Sequence, residues 1–275
     1  TILKERKRVI INFLIIIQVN MTDFGTKEIK YIEWNLNARG GINYEIPMFI
    51  TKYLKEADLF VLVEFCASKG WDRFKDEMKE YDLYCSPYTS VGYNQVCIGI
   101  RRDIKYKLIS VVTKDICDIN IPEFLQINIM MDNKELSIIG TRIKTQSDTK
   151  DKQINYLKNY FKNVQRFICL GDFNADYSNL SDKLLPVSDV YGPRVYQGYY
   201  SYVHRRGGTS GLDWIVSKNI GAIYNGYIDA EKSPYATYDW GFVIEENGYG
   251  SKKEDDYLNI HGLPDHAILK GMFKI

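Results

Sequence analysis

Phe167-Ile168-Cys169-Leu170-Gly171-Asp172-Phe173-Asn174-Ala175-Asp176 is the segment around which the other informative parts of the chain fall into place. Four apolar residues predict a buried strand, and Gly171 lets the backbone turn sharply at its end. Asp172 and Asn174 stand two apart, so in extended backbone their side chains point the same way. A carboxylate and a carboxamide side by side at the rim of a buried strand suit gripping a phosphate, a water or a hard cation. Gly, Asp and Asn also favour turns, so the piece taken alone reads as a plain turn as well.

Outward from this stretch, the pattern before it is periodic. Asp148 to Phe161 predicts a helix, polar at its start and apolar-periodic after Ile154. Strands are expected at Gln95–Arg101, Leu108–Val112, Phe124–Met131 and Leu136–Ile143, separated by polar turns such as Asp132-Asn133-Lys134. Nearer the N-terminus, Ile29 to Asn35 alternates, with Ile32 and Trp34 on one face and Tyr31, Glu33 and Asn35 on the other. Gly40-Gly41 breaks the chain, Tyr44 to Leu54 predicts an amphipathic helix, Asp58 to Phe65 a strand, and Trp71 to Tyr81 a second helix. After the central stretch, strands are expected around Tyr199–Val203, Leu212–Val216 and Ala267–Phe273. Short strands in meanders with a few helices between them predict an α+β layering with sheets at the centre.

With 275 residues, 45% hydrophobic and 26% charged, the chain can bury a sizeable core. Its net charge of +1 gives no global attraction to polyanions, so any nucleic-acid contact must come from a local patch. The cysteines (66, 85, 97, 117 and 169) show no C-x-x-C spacing and sit largely in apolar runs. They read as small buried hydrophobes in a reducing, cytoplasmic setting, without a zinc site or disulfide framework. No repeat or composition break divides residues 21–275, so one domain is expected there. Residues 1–20 differ: Lys4, Arg6, Lys7 and Arg8 precede the apolar run Val9 to Val19. That basic-then-apolar shape suits a secretion signal, an upstream extension or an extra edge strand, and a signal would make the protein secreted. The run is too short to span a bilayer comfortably.

Five places put acid, amide or imidazole groups at expected strand ends: Asn35, Glu64, Asp172 with Asn174, Asp213, and Asp265 with His266. Glu64 closes the apolar run Leu59-Phe60-Val61-Leu62-Val63, where a buried unpaired carboxylate is costly, so it should face a cation, a donor or water. Asp213 interrupts Gly211-Leu212-Asp213-Trp214-Ile215-Val216 in the same manner. His204, His261 and His266 are the chain's only histidines, which leaves few candidates for a catalytic imidazole.

Together these blocks resemble the endonuclease/exonuclease/phosphatase superfamily, the deoxyribonuclease I-like fold. The resemblance rests on Trp34-Asn35, Asp58 through Glu64, Gly171-Asp172-Phe173-Asn174, Gly211 through Ile215 and Pro264-Asp265-His266. They occur in the family's order and spacing and cover Ile29 to the C-terminus; five weak blocks in register make a strong signal. The resemblance implies a four-layer α/β/β/α sandwich and a magnesium-dependent phosphodiesterase, with manganese able to substitute. It implies Glu64 as principal magnesium ligand, helped by Asn35 and Asp265. His266 is implied to contact the scissile phosphate, Asp213 to orient and charge it, and Asp172 and Asn174 to activate and position the attacking water.

One position departs from the pattern. Where many members carry histidine or tyrosine before the long helix, Ile139-Gly140-Thr141-Arg142-Ile143 places Arg142. An arginine clamps a phosphate oxygen but cannot shuttle protons at neutral pH, which puts leaving-group protonation by that residue in doubt. The loop Tyr199 to Gly208 supplies Tyr200 and Tyr202 for stacking on bases and Arg205 and Arg206 for phosphates, which favours a nucleic-acid substrate, DNA first. Two rivals remain: a phosphorylated lipid or small molecule as substrate, or an inactive binding protein of the same fold. No protein partner is indicated, and a monomer is the default.

Overall fold

A computed structural model of the chain describes residues 27–37, 46–67, 69–87, 94–113, 118–192, 200–204, 208–224, 238–243 and 263–275. Segment 1–20, Gly40-Gly41, Cys117, Arg205, Arg206 and His261 lie outside the described residues. The alternating run near the N-terminus forms β1 (Glu28–Asn35), and the apolar run after it forms β2 (Leu59–Phe65). They pair in parallel, Tyr31 beside Leu59, and between them the chain passes through helix α1 (Ile50–Leu54).

The first sheet adds β3 (Tyr81–Cys85), β4 (Gln95–Arg101), β13 (Ala222–Tyr224), β14 (Tyr238–Asp239) and β15 (Ile268–Lys274). Its order is β13-β15-β1-β2-β4-β3, with β14 also on β15. The second sheet is built from β5 (Lys107–Thr113), β6 (Glu123–Met131), β7 (Lys134–Arg142), β8 (Phe167–Asp172), β9 (Asp189–Tyr191) and β12 (Asp213–Lys218), in the order β5-β6-β7-β8-β12-β9. A two-stranded hairpin, β10 (Tyr202–Val203) with β11 (Thr209–Ser210), forms its own small sheet and is bridged at Tyr202 to His266, just ahead of β15.

The sheets face each other, and helices cover their outer sides. Successive residues of β8 separate the two halves of the core: Ile168 and Leu170 join the cluster shared with the first sheet, whereas Phe167 and Cys169 join the other. That second cluster takes Ile154, Leu157 and Phe161 from α3 (Ser147–Lys162) and Leu180 and Leu184 from α4 (Tyr177–Leu184). The Phe161 and Phe167 rings stack at 4.4 Å. On the first sheet's outer side, Ile50 and Leu54 of α1 and Phe74 of α2 (Trp71–Glu77) are fully buried. Burial of each such side chain contributes about 1.5–3 kcal/mol. The sheets approach so closely at Gly140 that a Cβ there would run into the side chains of Val61 and Val96. The expected four-layer α/β/β/α sandwich is therefore present.

Element by element there are differences. Of the helix expected over Tyr44–Leu54, Tyr44 lies outside the described residues and the α-helix begins at Ile50. Pro47 keeps Ile46 out of the helical region, and the chain then enters the helix through tighter turns, with the N–H groups of Ile50, Thr51 and Lys52 donating to the carbonyls of Pro47, Met48 and Phe49. The helix expected over Trp71–Tyr81 stops at Glu77, and Tyr81 opens the unforeseen β3. Pairing with β4 and two hydrogen bonds from the Tyr81 hydroxyl, to the Leu54 carbonyl (3.1 Å) and the Ala57 carbonyl (2.6 Å), hold it there. The strand expected around Tyr199–Val203 is only the two-residue β10. Among the described residues Cys66, Cys97 and Cys169 are buried free thiols and Cys85 is a half-buried one. No helix among the described residues is long and apolar enough to cross a membrane.

Candidate active site

Topology gathers the acidic rim. β1 and β2 run parallel, as do β7 and β8, so the last residues of each pair emerge at the same end. Asn35 ends β1, Glu64 lies next to the end of β2, Arg142 ends β7 and Asp172 ends β8. β12 runs antiparallel to β8, so its first residue, Asp213, lies directly opposite Asp172. β15 is antiparallel to β1, which brings His266, just ahead of it, to the same rim.

His266 is 4% exposed, and its Nδ1 lies 2.9 Å from Oδ2 of the fully buried Asp213. Burial by itself would lower the imidazole pKa. Asp213, through charge and hydrogen bond, then Asp172 and Asp265, outweigh it and raise the value to about 10. The ring is thus an imidazolium whose Nδ1–H donates to Asp213. The Trp34 indole N–H donates to the His266 carbonyl at 3.0 Å, fixing the backbone of the histidine. Around Asp213, the Tyr238 hydroxyl donates to its carbonyl (2.8 Å), and Ser201 Oγ accepts the N–H of Leu212 (2.8 Å) and of Asp213 (3.2 Å).

Asp172 is 1% exposed. Its Oδ1 accepts the backbone N–H of Asn174 (2.8 Å); its Oδ2 accepts the side-chain amides of Asn174 (2.8 Å) and Asn35 (3.0 Å). Asn174 also donates to the Ile143 carbonyl at 2.7 Å. Burial raises the Asp172 carboxyl to about 7, with His266 and Arg142 pulling it down and Asp213 and Glu64 pushing it up. The expected sharp turn at Gly171 is not there: β8 continues through Gly171, where a Cβ would collide with the Thr141 backbone. The reversal comes at Asn174, in the left-handed region at φ 46°. Asp172 and Asn174 are neighbours through that turn and not through extended backbone.

Glu64 sits at φ 48°, where the β2–β4 register shifts. Its Oε1 lies 2.5 Å from Nε of Arg142 and accepts the Asn35 amide at 3.3 Å. Arg142 also donates to Oε1 of Glu123 at 3.2 Å, and its Nε is 3.9 Å from Asp172 Oδ2. Burial raises Glu123 to about 7 against the opposing pull of Arg142. Oxygen-rich acids are the right chemistry for magnesium. Their arrangement is not, because the facing oxygen of Glu64 is on a guanidinium and the Asn35 amide oxygen accepts the N–H of Asn37 at 2.8 Å. Among the described residues no three Asp, Glu, His or Cys side chains gather as a metal centre. Of the expected ligands, Asn35 and Glu64 touch each other at 3.3 Å, and Asp265 is half-buried beside His266.

Of the expected stacking residues, Tyr202 is half-buried with its ring 4.8 Å from that of His266, and His204 is 4.7 Å away on the hairpin. Tyr200 is 6% exposed and packs on Trp240, so it offers no open face; the neighbouring core claims it. Glu33, Glu123 and Ser201 belong to the site and were not singled out from the sequence. Glu33 is fully buried and neither of its oxygens has a hydrogen-bond partner among the described residues. Burial and the charge of Asp213 push its carboxyl well above the usual range. Only the alternation of β1, which puts Glu33 on the Asn35 face, hinted at it.

No protein-family model matches the sequence, and no curated protein does either. Solved structures do. The endonuclease/exonuclease/phosphatase from Bacteroides vulgatus matches with a TM-score of 0.64 at 11% identity, over 90% of this chain and 99% of that one. ANGEL2, a 2',3'-cyclic phosphatase, matches with a TM-score of 0.62 at 12% identity, over 91% and 96%. D. rerio TDP2 complexed with a single-strand DNA product matches with a TM-score of 0.58 at 12% identity, over 90% and 100%.

Proposed function

The chain has the endonuclease/exonuclease/phosphatase fold, and from that premise we propose that it hydrolyses phosphoric esters, as a phosphodiesterase that cuts DNA. The observation that carries the reading is the His266–Asp213 pair at 2.9 Å, set on the same rim as Asp172 and Asn174. In this reading Asp172, balanced near neutrality, takes a proton from the attacking water while Asn174 holds the geometry. His266, charged and oriented by Asp213, donates to the phosphate and neutralises the charge that develops there. Arg142 stays protonated and is engaged by two carboxylates, so protonation of the leaving oxygen falls to His266 or to water. Tyr202, beside His266, is the group suited to stack on a nucleobase.

Magnesium, with manganese as substitute, is the cofactor the resemblance implies; no step here is assigned to it, given how its expected ligands are arranged. Substrate choice within the fold is wide, since one neighbour is a 2',3'-cyclic phosphatase. The test is cleavage of supercoiled plasmid, single-stranded DNA and RNA, with magnesium and with chelator, by the natural chain and by Asp172→Ala and His266→Ala. Cleavage reduced roughly a hundredfold or more in both variants is expected. Folded protein that cuts no polymer but releases phosphate from phosphorylated lipids or nucleotides moves the substrate to a small molecule. Binding without turnover on any of them leaves a binding protein.

A further inference from the structure

The cation position beside Glu64 has an occupant supplied by the chain. Arg142 ends β7 with Glu123 of β6 directly across on one side and Asp172 of β8 on the other. Strand register alone therefore puts one permanent cation between two acids in the second sheet. Glu64 reaches the same guanidinium from the first sheet, from a residue whose left-handed backbone sits at the end of β2. The four side chains are 16% (Arg142), 14% (Glu64), 12% (Glu123) and 2% (Asp172) exposed. A guanidinium in this setting is not a loose surface group. Moving it off Glu64 leaves buried carboxylates facing each other until another cation arrives.

We infer that Arg142 competes with a divalent ion for Glu64, so that metal entry and guanidinium displacement are one coupled event. Several features follow from it together. The fork of Arg142 already meets two carboxylates, which a point charge such as lysine would satisfy less well. Glu64, Glu123 and Asp172 all lie within 3.9 Å of the one guanidinium, so a cation entering beside Glu64 meets carboxyl oxygens from both sheets. A pocket of about 360 Å³ adjoins the cluster, lined by Arg142, Glu123, Lys144, Thr145, Gln146 and Asn94. It gives a displaced guanidinium somewhere to go and a phosphate oxygen to meet there.

The site is the one assigned to hydrolysis, and the inference rests on that reading for its importance; it is tested by metal binding without turnover, so either can fail alone. Manganese is titrated into the full chain and followed by its paramagnetic resonance. Because the apparent affinity scales with the fraction of protein whose site is open, Arg142→Gln is expected to bind manganese at least about tenfold more tightly than the natural chain. Adding Glu64→Gln is expected to abolish that gain. Equal affinity with and without Arg142, or a gain that survives loss of Glu64, overturns the inference. Should Arg142→Gln fail to fold, the natural chain decides: the Arg142 Nε–H resonance is expected to shift as magnesium saturates the protein. A resonance unmoved at saturation overturns the inference equally.

Discussion

His266 and its neighbours form a proton-retaining centre. The ordinary imidazole value is about 6.5, and here it is raised to about 10. The stability that the His266–Asp213 pair contributes is thus fully present below about pH 6.5 and is lost as pH climbs through about 10. Asp172 and Glu123, each pushed up to about 7, act with the same sign, because the folded state keeps protons that the unfolded chain has released above about pH 4. Stability is expected to decline from mildly acidic to alkaline pH. NMR of the imidazole should find His266 titrating far above its usual range, and Asp213→Asn should bring that titration down markedly. An unshifted His266 would contradict the account.

At this scale the sequence was informative wherever a lone acid interrupted an apolar run, as with Glu64 and Asp213. It was silent where the partner lies across a sheet. That Glu123 faces Arg142, or that the Glu33 side of β1 looks into the second sheet, depends on register, which no local pattern encodes.

Among the elements, the β7–β8 pair carries most of the rim. Gly171 lies beside Thr141, one step before Arg142 meets Asp172. Since a Cβ at Gly171 would collide with the Thr141 backbone, Gly171→Ala must push the strands apart. A loss of about 1–3 kcal/mol in urea unfolding is expected, accompanied by lower turnover, because the Arg142–Asp172 spacing widens with it. Unchanged stability would show that the strands part there at no cost. Periodicity revealed α3 and most long strands, whose apolar faces are continuous. It failed for Tyr81, where the helical spacing runs on but the hydroxyl and the β4 edge draw the chain into a strand. It also gave no warning of α4, β9 or β13, whose runs are too short to show a period.

In the molecule as a whole, the space between the sheets is apolar toward its middle and ionisable toward one rim. Glu33 belongs to that rim yet has no hydrogen-bond partner for either oxygen among the described residues. Glu33→Met, close in volume, is expected to make the fold about 1 kcal/mol or more stable above neutral pH, where holding the carboxyl uncharged costs most. Urea midpoints at pH 6 and pH 8.5 check it: the gain should be larger at the higher pH, and a destabilised variant would mean that Glu33 is held by interactions of its own. The layered architecture and the gathering of the five acid or amide blocks in one site were legible through their resemblance, in order and spacing, to the endonuclease/exonuclease/phosphatase superfamily. No local pattern shows the physical cause of that convergence, which is that β1 with β2 and β7 with β8 run parallel.

β15 comes after every other described strand in the chain and yet lies inside the first sheet, between β13 and β1, with His266 immediately ahead of it. On the ribosome, then, β1 waits with one hydrogen-bonding edge bare while all the other described strands are synthesised. A chain released early lacks both the strand that shields that edge and the imidazole at the rim, leaving an aggregation-prone border. Completion of the sheet and arrival of His266 at the rim are a single event, which comes only after synthesis has passed β15.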